Sequence, residues 1–82
     1  MKEEKSFKLT ISRVNEQLYS GNANAVTLPG TEGELTILAY HEPLVTMLKK
    51  GTVIVREGES VKRFSIDKGL LETSGNQVTV LV

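Results

Sequence analysis

His41 is the residue of this 82-residue chain that could most readily do chemistry, because it is the only histidine and Glu32, Glu34 and Glu42 lie near it in sequence. A histidine beside carboxylates could bind a metal ion or exchange protons with one of them. A transition-metal site usually needs three or four good ligands, and in a chain without cysteine the carboxylates would supply nearly all of them. We therefore expect no metal and no cofactor. His41 remains either an interface residue or a structural one.

Two other catalytic patterns are also disfavoured. The loop Gly30-Thr31-Glu32-Gly33 lacks the G-x-x-x-x-G-K-[ST] spacing of a phosphate-binding loop, does not open a helix, and carries an acidic residue that would repel phosphate. A Ser-His-Asp triad is disfavoured because Asp67 is the only aspartate and no serine lies in a G-x-S-x-G elbow. The sequence thus predicts a chain without catalytic residues and without a small-molecule substrate.

Charge and cysteine content restrict the partners. Ten Lys plus Arg balance ten Asp plus Glu, so no overall field attracts nucleic acid or an acidic membrane. The absence of cysteine excludes a disulfide framework. Residues 1–7 are charged and lack the apolar stretch of a signal peptide, and no apolar run approaches the roughly 20 residues that span a bilayer. We expect a soluble, unexported chain that recognises a partner by local shape and does not insert into a membrane.

Apolar residues alternate with polar ones along much of the chain. Phe7, Leu9 and Ile11 begin the pattern, which has the period of two that is typical of half-buried strands. It recurs at Val26 and Leu28, Leu35 and Ile37, Val53 and Val55, Phe64 and Ile66, and Val78, Val80 and Val82. An all-β chain with two facing antiparallel sheets would bury this set.

Turn residues separate these segments at the spacing expected of a sandwich or barrel. They are Gly21-Asn22, Pro29-Gly30, Gly33, Gly51, Gly58, Gly69 and Gly75-Asn76. Residues 57–60 should join residues 53–56 to residues 61–66 as a hairpin, and residues 74–76 should form another before the last strand. Residues 42–50 are predicted to form a strand ending at Gly51, because Pro43, two β-branched residues and the short length disfavour a helix.

Several motifs occur in an order that is specific as a set. Residues 18–48, LYSGNANAVTLPGTEGELTILAYHEPLVTML, contain a Tyr19-Ser20-Gly21 turn, the loop GTEGEL of residues 30–35, and HEPL of residues 41–44, followed by a hydrophobic stretch that ends at Gly51. The closing part, FSIDKGLLE of residues 64–72 followed by NQVTVL of residues 76–81, agrees. Together they resemble the ε subunit of F-type ATP synthases, called δ in mitochondria, from Phe7 to Leu81.

The resemblance implies a fold. Members have a ten-stranded β-sandwich of two five-stranded, mainly antiparallel sheets, and residues 1–82 would form one ε-type domain of this kind. Most members continue into a C-terminal pair of helices, whereas this chain stops at Val82, so we expect no helical hairpin. Many members carry Gly and then Pro-Gly ahead of the histidine. Here Thr36 and Ala39-Tyr40 stand in those places, so the loop before His41 is expected to follow its own path.

The resemblance also implies a function and a set of contacts. Such a subunit is a non-catalytic piece of the central stalk, or rotor, peripheral on the cytoplasmic face of the inner (plasma) membrane, and couples ion-driven rotation to ATP synthesis. Glu32 and Glu34 would face the membrane ring, although the residues alone allow them to be solvated turn residues. His41, Leu44 and Thr46 would face the γ subunit. Interface charges mainly set register and specificity.

Two alternative functions remain. A free-standing β-sandwich could bind a peptide or a glycan on an exposed sheet face or edge, although such sites commonly present aromatic rings and only 5% of this chain is aromatic. A small hydrolase using His41 is a weaker alternative.

Overall fold

The computed structural model describes residues 4–82. The charged segment that disfavours a signal peptide, residues 1–7, therefore lies partly outside the described residues. The strands run in the order β1 (Phe7–Arg13), β2 (Glu16–Ala23), β3 (Ala25–Gly30), β4 (Gly33–Leu38), β5 (Leu44–Leu48), β6 (Gly51–Glu57), β7 (Ser60–Ile66), β8 (Gly69–Ser74) and β9 (Gln77–Leu81). Residues 4–82 contain no helix that is long and apolar enough to cross a membrane. The all-β prediction is confirmed.

Hydrogen bonds join the strands into one curled sheet. Its order is β2-β1-β9-β8-β5-β3-β6-β7, with β4 paired to β3 off this path. The β1–β9 pair is parallel and the others are antiparallel. The curl divides the sheet into a first half, β2-β1-β9-β8-β5, and a second half, β4-β3-β6-β7. Buried residues from both halves form a single cluster, so the halves face each other as the layers of a sandwich do.

The strand count differs from the expected one. Residues 4–82 contain nine strands in one sheet, so the ten strands in two five-stranded sheets that the resemblance implies are not confirmed. The halves remain connected because β3 changes partner along one edge. It pairs with β6 through Ala25, Val26 and Thr27, and then with β5 at Gly30 and Leu48. Pro29 lies between these two ladders and has no N–H to donate to either of them. Its carbonyl oxygen accepts a hydrogen bond from Lys49 N at 2.8 Å.

Most of the core consists of residues that the alternation singled out, and the buried hydrophobic residues outside that set are Tyr19, Ala23, Leu48 and Leu71. Leu9, Ile11 and Val80 from the first half are fully buried, as are Val26, Leu28 and Val55 from the second. Leu35, Phe64 and Val82 are partly buried and pack against this cluster. Burying each large aliphatic side chain contributes on the order of 2 kcal/mol, which makes this cluster the main source of stability.

The hairpin predictions are confirmed, but one turn escapes sequence reasoning. Gly58-Glu59 joins β6 to β7, and Gly75-Asn76 joins β8 to β9. The missed turn is Val14-Asn15, between β1 and β2, where Asn15 adopts a left-handed φ of 64°. Asparagine adopts that conformation more readily than most residues, although Val14 and Asn15 together do not form a strong turn signal.

Two predictions about local structure are corrected. Residues 19–22 lie inside β2, so neither the turn predicted at Tyr19-Ser20-Gly21 nor the one predicted at Gly21-Asn22 is present. Gly21 has a packing role instead, because a Cβ there would lie 3.1 Å from the Tyr19 hydroxyl. The strand predicted for residues 42–50 is shorter than expected, since β5 ends at Leu48 and Gly51 begins β6.

Tyr19 of β2 closes the seam between β2 and the β6–β7 hairpin, which lie at the two ends of the strand order. Its hydroxyl donates to Glu57 Oε1 at 2.7 Å, its ring meets Phe64 edge-on with centroids 6.2 Å apart, and Lys62 Nζ lies 5.6 Å from the ring centroid. Burial raises the pKa of Tyr19 to about 12, helped by the hydrogen bond to Glu57 and by its negative charge. This side chain therefore joins the halves where no backbone ladder among the described residues does so.

We predict that Gly30→Ala destabilises the chain by about 1–3 kcal/mol, the usual cost of overpacking. A Cβ at this position would lie 2.6 Å from Leu35 Cδ2 and 2.7 Å from Gly33 O, and the backbone oxygen cannot move without opening the β3–β4 turn. Urea unfolding followed by circular dichroism measures the change. Gly58→Asn is the control, because open space surrounds Gly58 and asparagine tolerates its φ of 62°. Equal losses in both variants would contradict the packing argument.

We predict that Tyr19 ionises near pH 12 in the folded chain and near pH 10 in urea. The folded pKa is the higher one, so the stabilisation due to Tyr19 is complete below pH 10 and is lost as the pH rises towards 12. Ultraviolet absorbance of the phenolate in a Tyr40→Phe background isolates this group. Adding Glu57→Gln should lower the folded midpoint, since it removes the negative charge. One common midpoint for the folded and unfolded chains would disprove the assignment.

Candidate protein-binding surface

The residues expected to bind partners lie at opposite ends of the sandwich. Glu32 and Glu34 are at the tip of the β3–β4 hairpin, whereas His41 and Leu44 follow the other end of β4. We name these the acidic end and the histidine end. β4 has six residues, so it separates the ends by about 17 Å at the usual rise per residue. The structure therefore does not bring Glu32 and Glu34 together with His41.

The acidic end is a tight hairpin fixed to its neighbour. Thr31 and Glu32 form the turn, and Gly30 pairs with Gly33 at its base. Thr31 N donates to Met47 O of β5 at 3.1 Å, which holds the tip against the first half of the sheet. Glu32 and Glu34 are both exposed. The hairpin thus presents two carboxylates on a backbone that is braced from two sides.

The histidine end is built around residues 39–43, which connect β4 to β5. Tyr40 has a φ of 62°, a left-handed conformation that is uncommon for a bulky side chain. His41 is half-buried, and its Nδ1 lies 2.7 Å from the Glu42 carbonyl oxygen. Because a carbonyl can only accept, Nδ1 carries the proton, and Nε2 is the ring nitrogen left for a partner.

Leu44 and Thr46 are half-buried and point to the core side of β5, together with buried Leu48. Their cross-strand neighbours on β8 are Thr73 and Leu71, which are both buried. β5 pairs with β8 along its whole length but with β3 only at Leu48, so the other edge of β5 has no ladder partner beside Leu44 and Thr46 within residues 4–82. These two side chains therefore line an open edge of the sheet.

The sequence did not single out the outer face of β5. Val45 is 64% exposed and Met47 is 59% exposed, although both are apolar. Met47 lies opposite Leu70, and Leu70 lies opposite Leu81, so an apolar row crosses three strands. In the β5 sequence Leu-Val-Thr-Met-Leu, apolar residues occur on both faces of the strand. This was the one sequence signal that the outer face, like the inner one, is partly covered or contacts a partner.

Ionic groups at the histidine end hold the N-terminal residues. Arg56 Nη1 donates to Glu4 Oε1 at 3.0 Å, and Arg56 Nη2 binds the other carboxylate oxygen. The hydrogen bond from Arg56 lowers the pKa of Glu4, and the positive charge of Arg56 adds to that effect.

Within residues 4–82, no group of three or more His, Asp or Glu side chains is arranged to hold a metal ion.

Comparison with known proteins assigns a family. Residues 6–82 match the model of the β-sandwich domain of the ATP synthase delta/epsilon chain. The ATP synthase epsilon chain of Sulfurimonas denitrificans is 43% identical over 76 residues, which are 92% of this chain and 58% of that protein. The epsilon chain of Leptospira borgpetersenii is 37% identical over 76 residues, 90% of this chain and 60% of that protein. The chain thus spans about three-fifths of these relatives.

Solved structures agree with this assignment. A chain in the cryo-EM structure of the Euglena gracilis mitochondrial ATP synthase, OSCP/F1/c-ring, superposes with a TM-score of 0.88 at 26% identity, over 94% of this chain and 50% of that one. A chain in the central stalk/c-ring structure from Tetrahymena thermophila has the same fold, with a TM-score of 0.80 at 18% identity over 99% of this chain and 66% of that one. By its sequence and by the curled sheet of nine strands that residues 4–82 form, this chain belongs to the β-sandwich domain family of ATP synthase delta and epsilon chains.

Proposed function

We propose that this chain is a non-catalytic central-stalk subunit of an F-type ATP synthase, in which residues 1–82 form one ε-type domain. It binds the γ subunit and the membrane ring, and so couples ion-driven rotation to ATP synthesis. It is peripheral on the cytoplasmic face of the inner (plasma) membrane, has no small-molecule substrate and does not insert into the bilayer. The relatives named ATP synthase epsilon chain, and the neighbour from a structure containing F1 and the c-ring, support this proposal.

The observation that carries the proposal is the separation of the two ends. One rigid body that links two partners needs two contact sites that do not overlap. Glu32 and Glu34 at one end would meet the ring, and His41 at the other would meet γ. β3, β4 and β5 connect these ends directly, and a densely packed core bends little under load. Torque applied at one end would therefore reach the other.

Leu44 and Thr46 belong to the γ-facing set in this proposal. Their half-buried side chains lie on the open edge of β5, next to the loop that carries His41. Partly buried groups at a contact lose little conformational entropy on binding, since the core side already restricts them. Leu44 and Thr46 would thus enlarge the proposed contact between His41 and the γ subunit.

We predict that His41→Glu weakens binding of the chain to purified γ by about tenfold or more, a typical cost at an interface centre. The substitution puts a negative charge where Nε2 otherwise meets the partner. Isothermal titration at two salt concentrations measures the affinity, and circular dichroism checks the fold. Glu59→Lys, in the exposed turn between β6 and β7, is the control at the same end. Absence of γ binding by the folded wild-type chain would refute the proposed function and turn attention to peptide and glycan partners.

We predict that Glu34→Lys leaves the affinity for γ alone unchanged and lowers the affinity for a γ–ring assembly severalfold. A charge at the exposed rim of an interface contributes about 0.2–1 kcal/mol, and reversal replaces attraction with repulsion. Glu16→Lys is the matched control, because Glu16 is an exposed glutamate at the same end, in the first half of the sheet. The ring assignment of Glu34 is wrong if the two lysine variants behave alike.

A further inference from the structure

The loop that presents His41 is held by one hairpin, from two sides. On one side of His41, Tyr40 N donates to Asn76 Oδ1 at 2.7 Å. On the other side, Thr73 Oγ1 donates to the Glu42 carbonyl oxygen at 2.9 Å. Thr73 and Asn76 both belong to the β8–β9 hairpin, and Thr73 is only 3% exposed. The position of the loop is therefore set by residues that are more than thirty positions away in sequence.

Asn76 also holds a third segment. Its Nδ2 donates to the Ser6 carbonyl oxygen at 3.0 Å, so a single carboxamide links the N-terminal residues to the loop before His41. Lys5, next to Ser6, places its Nζ 5.7 Å from the Tyr40 ring centroid. The amide oxygen and the amide nitrogen are both used, which fixes the orientation of the side chain.

The backbone at Tyr40 needs such support. A φ of 62° is unfavourable for an aromatic residue, and it persists only where surrounding contacts hold it. Tyr40 is 69% exposed, so side-chain packing against the core does not hold it. The hydrogen bond from Tyr40 N to Asn76 is the direct restraint on this peptide unit.

We propose that Asn76 is a positioning residue for partner binding: its carboxamide holds Tyr40 in the left-handed conformation that orients His41 towards γ. The inference rests on the proposed function, because γ is the partner. Asn76 itself touches no partner in this scheme and acts through the loop. Loss of its side chain should release the loop without opening the core, because the β8–β9 turn retains its backbone path.

Two substitutions at Asn76 separate its two hydrogen bonds. Asn76→Gly removes both, and glycine keeps the turn because it adopts a φ of 58° freely. Asn76→Asp keeps an acceptor for Tyr40 N and loses the donor to Ser6 O. Asn15→Gly is the matched control: Asn15 occupies the second position of another two-residue hairpin turn, with a φ of 64°, at the acidic end.

The measurements are γ affinity by isothermal titration and amide exchange of Tyr40 by NMR, both on the 82-residue chain. Asn76→Gly should raise the dissociation constant for γ about tenfold, because without the two hydrogen bonds only a minority of free chains would keep the loop in the binding conformation, and it should speed Tyr40 exchange. Asn76→Asp should preserve Tyr40 protection. Asn15→Gly should change neither quantity. In a His41→Ala background, Asn76→Gly should have little further effect on γ affinity, because both changes act through the same contact.

Some results would overturn the inference. Equal losses from Asn76→Gly in the wild-type and His41→Ala backgrounds would mean a general structural role, and so would an equal loss in the Asn15→Gly control. Unchanged γ affinity in Asn76→Gly would remove the role altogether. If the wild-type chain does not bind γ, the proposed function fails. Tyr40 exchange and the His41 ring resonances of the free chain then still test whether Asn76 positions the loop.

Discussion

The close approach of β3 and β5 at Gly30 and Leu48 is the constraint on which the enclosed core depends. A sheet of nine strands encloses a core only if its two halves face each other, and here one strand is shared at the junction. β3 leaves β6 after Thr27 and meets β5 at Gly30, where no side chain would fit. The β3–β6 ladder stops before Pro29, which has no N–H. Because proline has no backbone donor, the change of partner at this residue leaves no N–H group unpaired.

This junction also decides where the polar residues lie. Glu32 and His41 are nine positions apart in sequence, and a helix or a compact loop could have brought their side chains together. The extended strand β4 separates them instead, because its Leu35 and Ile37 pack against the core and its path must follow β3. A set of residues that looks like a single chemical site in the sequence becomes two surfaces, one at each end. In a β protein, nearness in sequence beyond one turn is poor evidence for nearness in space.

Sequence reasoning found the strands in which apolar and polar residues alternate clearly. It missed β2, in which few residues are buried. Phe7, Leu9 and Ile11 alternate cleanly, and the β6–β7 and β8–β9 turns contain glycine, so these elements were predictable. β2 was missed because Tyr19 and Ala23 are its only buried residues. Its glycine looks like a turn signal, although it serves to accommodate the tyrosine ring.

The candidate site was predictable only in part, for a related reason. The exposure of Glu32 and Glu34 follows from their place on a short glycine-bounded loop. The left-handed Tyr40 could not be foreseen, since it depends on Asn76, which lies 36 positions later in the chain. The partial burial of Leu44 and Thr46 could not be predicted either. Because β5 has apolar residues on both faces, its sequence does not show which face is the inner one, and the pairing with β8 decides this.

The parallel pairing of β1 with β9 has a mechanical consequence. Lys8 lies beside Gln77 and Ser12 beside Leu81, so β1 begins at the histidine end and β9 finishes at the acidic end. A force that draws the start of β1 and the finish of β9 apart acts along both strands in opposite directions and loads their ladder in shear. All the slanted hydrogen bonds of the ladder then bear the load together, whereas an antiparallel hairpin pulled from its open end parts one pair at a time. The β1–β9 ladder therefore resists a pull along the line that joins the two ends better than a hairpin of the same length resists being peeled apart.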